Sequence, residues 1–143
     1  MSVQDLVGTW DLVSLYGRST EGEIWQVYGE DPREMLMYTA EGTMTAVLMK
    51  QGRQQFSGGP DAPTPEELQE AFFGFDAYCG SYTLDPDRHK VTHHVYASRL
   101  PSWEGSDQVR YYELSGDTLT IRSAPIAAKG TDWVVFVVWI RHR

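Results

Sequence analysis

Short runs rich in Val, Thr, Tyr, Trp and Met recur along the chain between turn-forming residues, the pattern of an antiparallel all-β domain. The runs predict strands over residues 7–16, 24–29, 34–39, 43–49, 78–84, 90–100, 107–114, 118–123 and 133–141. Ala40-Glu41-Gly42, Asp85-Pro86-Asp87 and Ser115-Gly116-Asp117 supply turn residues between them, so strands adjacent in sequence are expected to pair as hairpins. This many short strands in one small domain favours a barrel or a sandwich, and closure into a barrel would remove the exposed edges.

One segment carries a helical pattern instead. Thr64-Pro65-Glu66-Glu67 has a cap residue, proline at the first helical position and glutamate three residues after the cap. Leu68, Ala71, Phe72 and Phe75 follow at helical spacing, predicting a helix over 65–75 whose apolar stripe packs on the sheet or covers a cavity mouth. In the last strand, WVVFVVWIR, both parities are apolar, so its outer face needs a cover, either that helix or a second subunit.

The chain has 143 residues, read as one domain over 1–143, large enough to hold a core without disulfide or metal staples. A net charge of -8 without a Lys/Arg cluster argues against nucleic acid and anionic membranes as partners and moves small molecules up. Cys79 is the single cysteine, so no internal disulfide forms. The N-terminal MSVQDLVGTW lacks a secretory pattern and no apolar run reaches membrane-span length, which gives a cytoplasmic protein as the expectation.

The opening Leu6-Val7-Gly8-Thr9-Trp10-Asp11-Leu12-Val13-Ser14 resembles the G-x-W first strand of lipocalin and related calycin barrels. Asp31-Pro32-Arg33, Glu41-Gly42-Thr43-Met44, Tyr78-Cys79-Gly80-Ser81-Tyr82, Val91-Thr92-His93-His94-Val95, Pro101-Ser102-Trp103 and Asp107-Gln108-Val109-Arg110 follow in order. Together they are similar to the bacterial and fungal lipocalin-like domain family over nearly the whole chain. The resemblance implies an all-β fold, a closed antiparallel lipocalin-like barrel of about eight to ten strands with one short helix over it. It also implies that Arg141 lies over Trp10 and closes one end by cation–π packing.

In such a barrel the inward parity of each strand fills the core or lines a pocket. With Trp10 inward, Leu12, Ser14 and Tyr16 would share its face. The strands 34–39 and 43–49 are dense in methionine, and a wall including Met37 and Met44 suits an adaptable apolar ligand, although Met is also ordinary core filler. His93 and His94 are consecutive and face opposite sides. The parity of Val91, Val95 and Ala97 favours His93 inside, where it would either move a proton or be a hydrogen-bonded core histidine. On 107–114 the row Gln108, Arg110 and Tyr112 is either solvated or aimed inward, where Arg110 would hold a carboxylate, enolate or phenolate.

The candidate ligand contacts are therefore Arg110, Gln108, His94, Tyr38, Met37, Met44, Phe72, Phe75, Tyr78 and Trp103, with Asp76 at the mouth; His93, Tyr82 and Tyr112 are the candidate proton-moving groups. No nucleotide motif, nucleophile elbow or metal-ligand spacing is present, so neither a cofactor nor a metal is expected. Two functions fit. One is a cofactor-independent cyclase, isomerase or dehydratase (a lyase) acting on a natural-product-like substrate; the other is a non-catalytic carrier or sequestering protein for a small apolar or aromatic molecule. A homodimer is a further expectation.

Overall fold

The computed structural model describes residues 3–143. Among them a short helix α1 (Val3–Leu6) precedes ten strands: β1 (Gly8–Ser19), β2 (Ile24–Trp25), β3 (Arg33–Tyr38), β4 (Thr43–Met49), β5 (Phe75–Asp85), β6 (Lys90–Ser98), β7 (Asp107–Ser115), β8 (Thr118–Ser123), β9 (Ile126–Ala128) and β10 (Thr131–Arg141). Helix α2 (Pro65–Phe73) lies between β4 and β5. Each neighbouring pair is antiparallel, and β1 pairs with both β3 and β10, which closes β1-β3-β4-β5-β6-β7-β8-β10 into an eight-stranded barrel. The short β2 and β9 hang on β1 and β10 as flaps. None of the described helices is long and apolar enough to cross a membrane.

One end of the barrel is sealed by the G-x-W strand. The Arg141 guanidinium stacks 4.3 Å from the Trp10 ring and donates to the carbonyls of Val7 and Asp5, while Trp10 Nε1 donates to the Leu6 carbonyl. The stack neutralises three chain-end carbonyls and buries the largest side chain of the core. Tyr38, Met44, Tyr82, Val91, Tyr112, Leu119 and Trp139 pack behind it.

Alternation fails in β1 for a local reason. A bulge between Leu12 and Ser14 inserts one residue and reverses the parity beyond it. Trp10 and Leu12 pack on the core as expected, but Leu15 rather than Ser14 or Tyr16 is the next buried residue. Tyr16 therefore lies outside, stacked at 5.3 Å on Phe136, with Arg18 over both rings. This pair supplies part of the cover that the doubly apolar β10 requires; α2 supplies none, since its sheet contacts are with β5.

Helix α2 begins as its cap sequence dictates. Thr64 Oγ1 accepts from the Glu67 N–H and the Glu67 carboxylate accepts from the Thr64 N–H. The helix stops at Phe73, two residues before the expected end, because Phe75 already belongs to β5. No residue of α2 is buried, and the apolar stripe stays half exposed. Two arginines hold the helix instead: Arg53 donates to the Ala71 carbonyl, and Arg99 donates to the Phe72 carbonyl while lying 4.4 Å from its ring.

Candidate functional site

The half of the barrel away from Trp10 encloses a cavity of about 540 Å³. Leu15, Leu36, Ala46, Leu48, Ile121, Val135, Val137 and Trp139 form its apolar wall, and Val27, Tyr28, Trp103 and Ile126 come from the connections around its mouth. Its polar residues include Glu34, Asp76, Tyr78, His93, Asp107, Gln108, Arg110 and Ser123.

His93 is only 2% exposed and is held through both nitrogens: Tyr38 Oη lies 2.7 Å from Nε2 and Tyr78 Oη 2.9 Å from Nδ1. Burial, reinforced by the Arg110 and His94 charges, lowers its pKa to about 3, so the ring is neutral. Tyr38 is buried with no second partner. The arrangement that keeps the buried Tyr38 proton paired has Tyr38 donating to Nε2 and Nδ1–H donating to Tyr78, which leaves the Tyr78 hydroxyl proton for the cavity. Burial raises Tyr78 to about 12 despite the opposing effect of Arg110, so this phenol is a hydrogen-bond donor and not an acid at neutral pH.

Arg110 lies beside this chain of groups. It donates to the Val109 carbonyl, sits 5.8 Å from the Trp103 ring, and has no carboxylate within ion-pair distance among the described residues. Its side chain is also hydrogen-bonded to Tyr78, and a guanidinium without a carboxylate in a largely apolar cavity attracts an anionic or acidic ligand group. Gln108 Nε2 is tied to Ser106 Oγ at 2.9 Å, which fixes the amide at the mouth. Trp103 packs edge-on against Tyr78 at 5.3 Å.

Six of the sequence candidates thus meet in one cavity: His93, Tyr78, Arg110, Gln108, Trp103 and Asp76. Tyr38 stands directly behind them. The others lie elsewhere. Tyr82 donates to the Thr39 carbonyl, and Tyr112 stacks on His89; both belong to the closed-end core, further along their strands than the cavity reaches. Met44 is also core, but Met37 is 38% exposed on the outer surface, because the register Tyr38↔Met44 and Leu36↔Ala46 puts the even residues of β3 inside. Phe72 and Phe75 lie under Arg99 and Arg53, outside the cavity.

His94 faces outward, as the two-residue period requires once His93 is inside. Its Nδ1 lies 2.7 Å from Asp107 Oδ1 and its Nε2 2.9 Å from Thr83 Oγ1. This hydroxyl–imidazole–carboxylate series sits on an open sheet surface where water screens the charges, so it behaves as a surface ion pair. Among the described residues no group of three or more His, Cys, Asp or Glu side chains could hold a metal ion.

Two residues that sequence reasoning passed over belong to the site. Glu34 Oε2 is enclosed without a hydrogen-bond partner, and burial, with Asp76 adding repulsion, raises its pKa to about 8. Tyr28, raised by burial and by Asp76, lines the mouth on the same side. The signal for Glu34 was available: it shares its parity with Leu36 and Tyr38, so a carboxyl stood on an apolar face. Asp76 itself is paired with Arg99 at 3.3 Å.

A closed antiparallel barrel with one sealed end and an apolar cavity carrying a few convergent polar groups defines a lipocalin-type small-molecule barrel. The chain belongs to the lipocalin-like domain family, whose model matches residues 7–142. A relative 31% identical over 105 residues, covering 67% of this chain and 94% of its own length, is the 4'-hydroxy-3'-methoxypropiophenone carrier protein ppsC of Aspergillus oryzae. A solved lipocalin-like protein from Bacteroides uniformis is 14% identical with a TM-score of 0.49, covering 96% of this chain and 99% of its own.

Proposed function

We propose that the barrel binds a small, largely aromatic molecule in its interior cavity, with an acidic or anionic group of the ligand against Arg110 and the Tyr78 hydroxyl. The observation that carries this reading is the Arg110 guanidinium, which has no carboxylate within ion-pair distance among the described residues, in a largely apolar enclosure. Leaving such a charge without a partner is costly, and a ligand carboxylate or phenolate would satisfy it. The name of the Aspergillus relative, a carrier for an aromatic ketone, supports the same reading. The test is calorimetry with aryl carboxylates as probes: wild type should bind them, and Arg110→Leu should weaken binding by about ten- to a hundredfold, the loss of a charged hydrogen bond. Equal affinity in the two proteins would refute it.

A second reading, cofactor-free acid–base catalysis of the cyclase, isomerase or dehydratase kind, is favoured by Glu34. Its proton affinity lies near neutrality, where a catalytic acid or base works best, whereas burial holds His93 neutral. Turnover of a bound ligand that stops in Glu34→Gln without loss of binding would select this reading.

Self-association is the remaining proposal. Val13 and Ile140 stay exposed beside the Tyr16–Phe136 stack, and a two-fold pairing of this face would cover them. Light scattering giving 16.2 kDa, the mass of one chain, would exclude it.

A further inference from the structure

The cavity has a second polar pole. Around the barrel the order β3-β4-β5-β6-β7 separates Glu34 on β3 from Arg110 on β7 by half the circumference, so the carboxyl and the guanidinium stand on opposite walls. On the Arg110 side are Tyr78 and His93. On the Glu34 side are Tyr28, from the 26–32 connection, and Asp76, which Arg99 holds. Glu34 Oε2 is enclosed and has no hydrogen-bond partner among the described residues.

We propose that Glu34, in its protonated form, is a specificity-determining residue that donates a hydrogen bond to a neutral acceptor, such as a ketone oxygen, on the end of the ligand opposite its anionic group. The inference rests on the binding reading given above and extends it to the ligand's second functional group. An ionised Glu34 would be a buried charge without a cation, since Arg110 is across the cavity and Arg99 is engaged by Asp76; a protonated one has an O–H with no partner inside the fold. A ligand carbonyl supplies the missing acceptor. The ligand class is therefore a flat molecule of one or two rings with an acid at one end and a carbonyl at the other, small enough for about 540 Å³.

The phenols around Glu34 hold their charge state while it changes. Tyr28 and Tyr78 are both raised above the ordinary phenol value and stay neutral up to pH 9, and Asp76 is ion-paired with Arg99. Above pH 8 Glu34 loses the proton it donates, so recognition of the acceptor should fade there while Arg110 keeps its charge.

The test uses two probes of nearly equal shape, 4-acetylbenzoate and 4-isopropylbenzoate, which differ in one carbonyl oxygen. Their affinity ratio is measured by calorimetry at pH 6.5 and pH 9 for wild type, Glu34→Leu and Glu34→Gln. Relative to Glu34→Leu, wild type at pH 6.5 should favour the acetyl probe about three- to tenfold, the worth of one hydrogen bond. The preference should fall at pH 9 in wild type and persist at both values in Glu34→Gln, whose amide donates without titrating. The same ratio in Glu34→Leu as in wild type, with both probes still bound and still weakened by Arg110→Leu, would overturn the inference alone. Failure of wild type to bind either probe would overturn it together with the binding reading.

Discussion

Replacing Glu34 by glutamine should make the fold insensitive to a titration that weakens the wild-type protein. In the unfolded chain this carboxyl ionises near its ordinary value of 4.5; in the barrel it keeps its proton until about 8. Between those values the native chain holds one proton more than the unfolded chain, so stability falls as pH rises. The contribution is fully present below 4.5 and is lost by the time pH passes 8. At about 1.4 kcal/mol per unit, the whole shift corresponds to about 5 kcal/mol. Water entering through the mouth solvates part of the carboxylate, and a loss of about 2 kcal/mol is the expected size. Glutamine mimics the protonated form and has nothing to lose. Urea unfolding followed by tryptophan fluorescence at pH 5, 7 and 9 gives the measurement. The two proteins should be close at pH 5, and the variant should be the more stable at pH 9 by about 2 kcal/mol. A difference that stays constant from pH 5 to 9 would show that Glu34 ionises freely and that the cavity holds no protonated carboxyl at neutral pH.

The His93 ring should give nitrogen chemical shifts of a neutral imidazole that do not change between pH 5 and 8, since burial holds its pKa near 3; a midpoint inside that range would contradict the Tyr38–His93–Tyr78 arrangement. His93→Phe should cost about 2–4 kcal/mol in denaturant unfolding, because Tyr38 Oη is then left buried without a partner; a loss below about 0.5 kcal/mol would contradict this. Trp10→Ala should destabilise the barrel by about 3–5 kcal/mol, since it removes the largest core side chain and the surface on which Arg141 rests. Unchanged unfolding in that variant would mean that the sealed end carries no stability.

Much of the barrel was legible because its signals are local. Hairpin turns, the G-x-W start and the capping box each act within a few residues, and each produced the element it implies. The choice of His93 over His94 followed from the parity of Val91 and Val95 alone. What escaped depended on register and on insertions. The bulge after Leu12 reversed β1, so Tyr16 moved outside, and no residue type at Val13 announces it. The methionines of β3 were ambiguous because both of its faces are apolar; pairing with β4 decided that Leu36 and Tyr38 go in. A second bulge, at Cys79/Gly80, is marked by its glycine: a Cβ there would collide with the His94 carbonyl oxygen. Helix α2 carried a genuine apolar stripe yet buries nothing, since two arginines rather than a packed face fasten it.

The placement of unmet polar groups separates the two ends of the molecule. At the sealed end Arg141 has a ring, two carbonyls and Asp117 to satisfy it, and Tyr112 Oη is the exception, a buried hydroxyl without a partner. In the cavity stand Glu34 Oε2 and Trp139 Nε1, both enclosed without a partner among the described residues, and the Arg110 guanidinium, which has no carboxylate beside it; Arg53 Nε, next to α2, is a further enclosed atom of this kind. A core selected only for stability would replace them with apolar side chains, because each costs free energy while it lacks a partner. Glu34, Trp139 and Arg110 facing one space is the arrangement the proposed binding site requires: donors and a charge fixed by a stable barrel, for which a ligand would supply the acceptors.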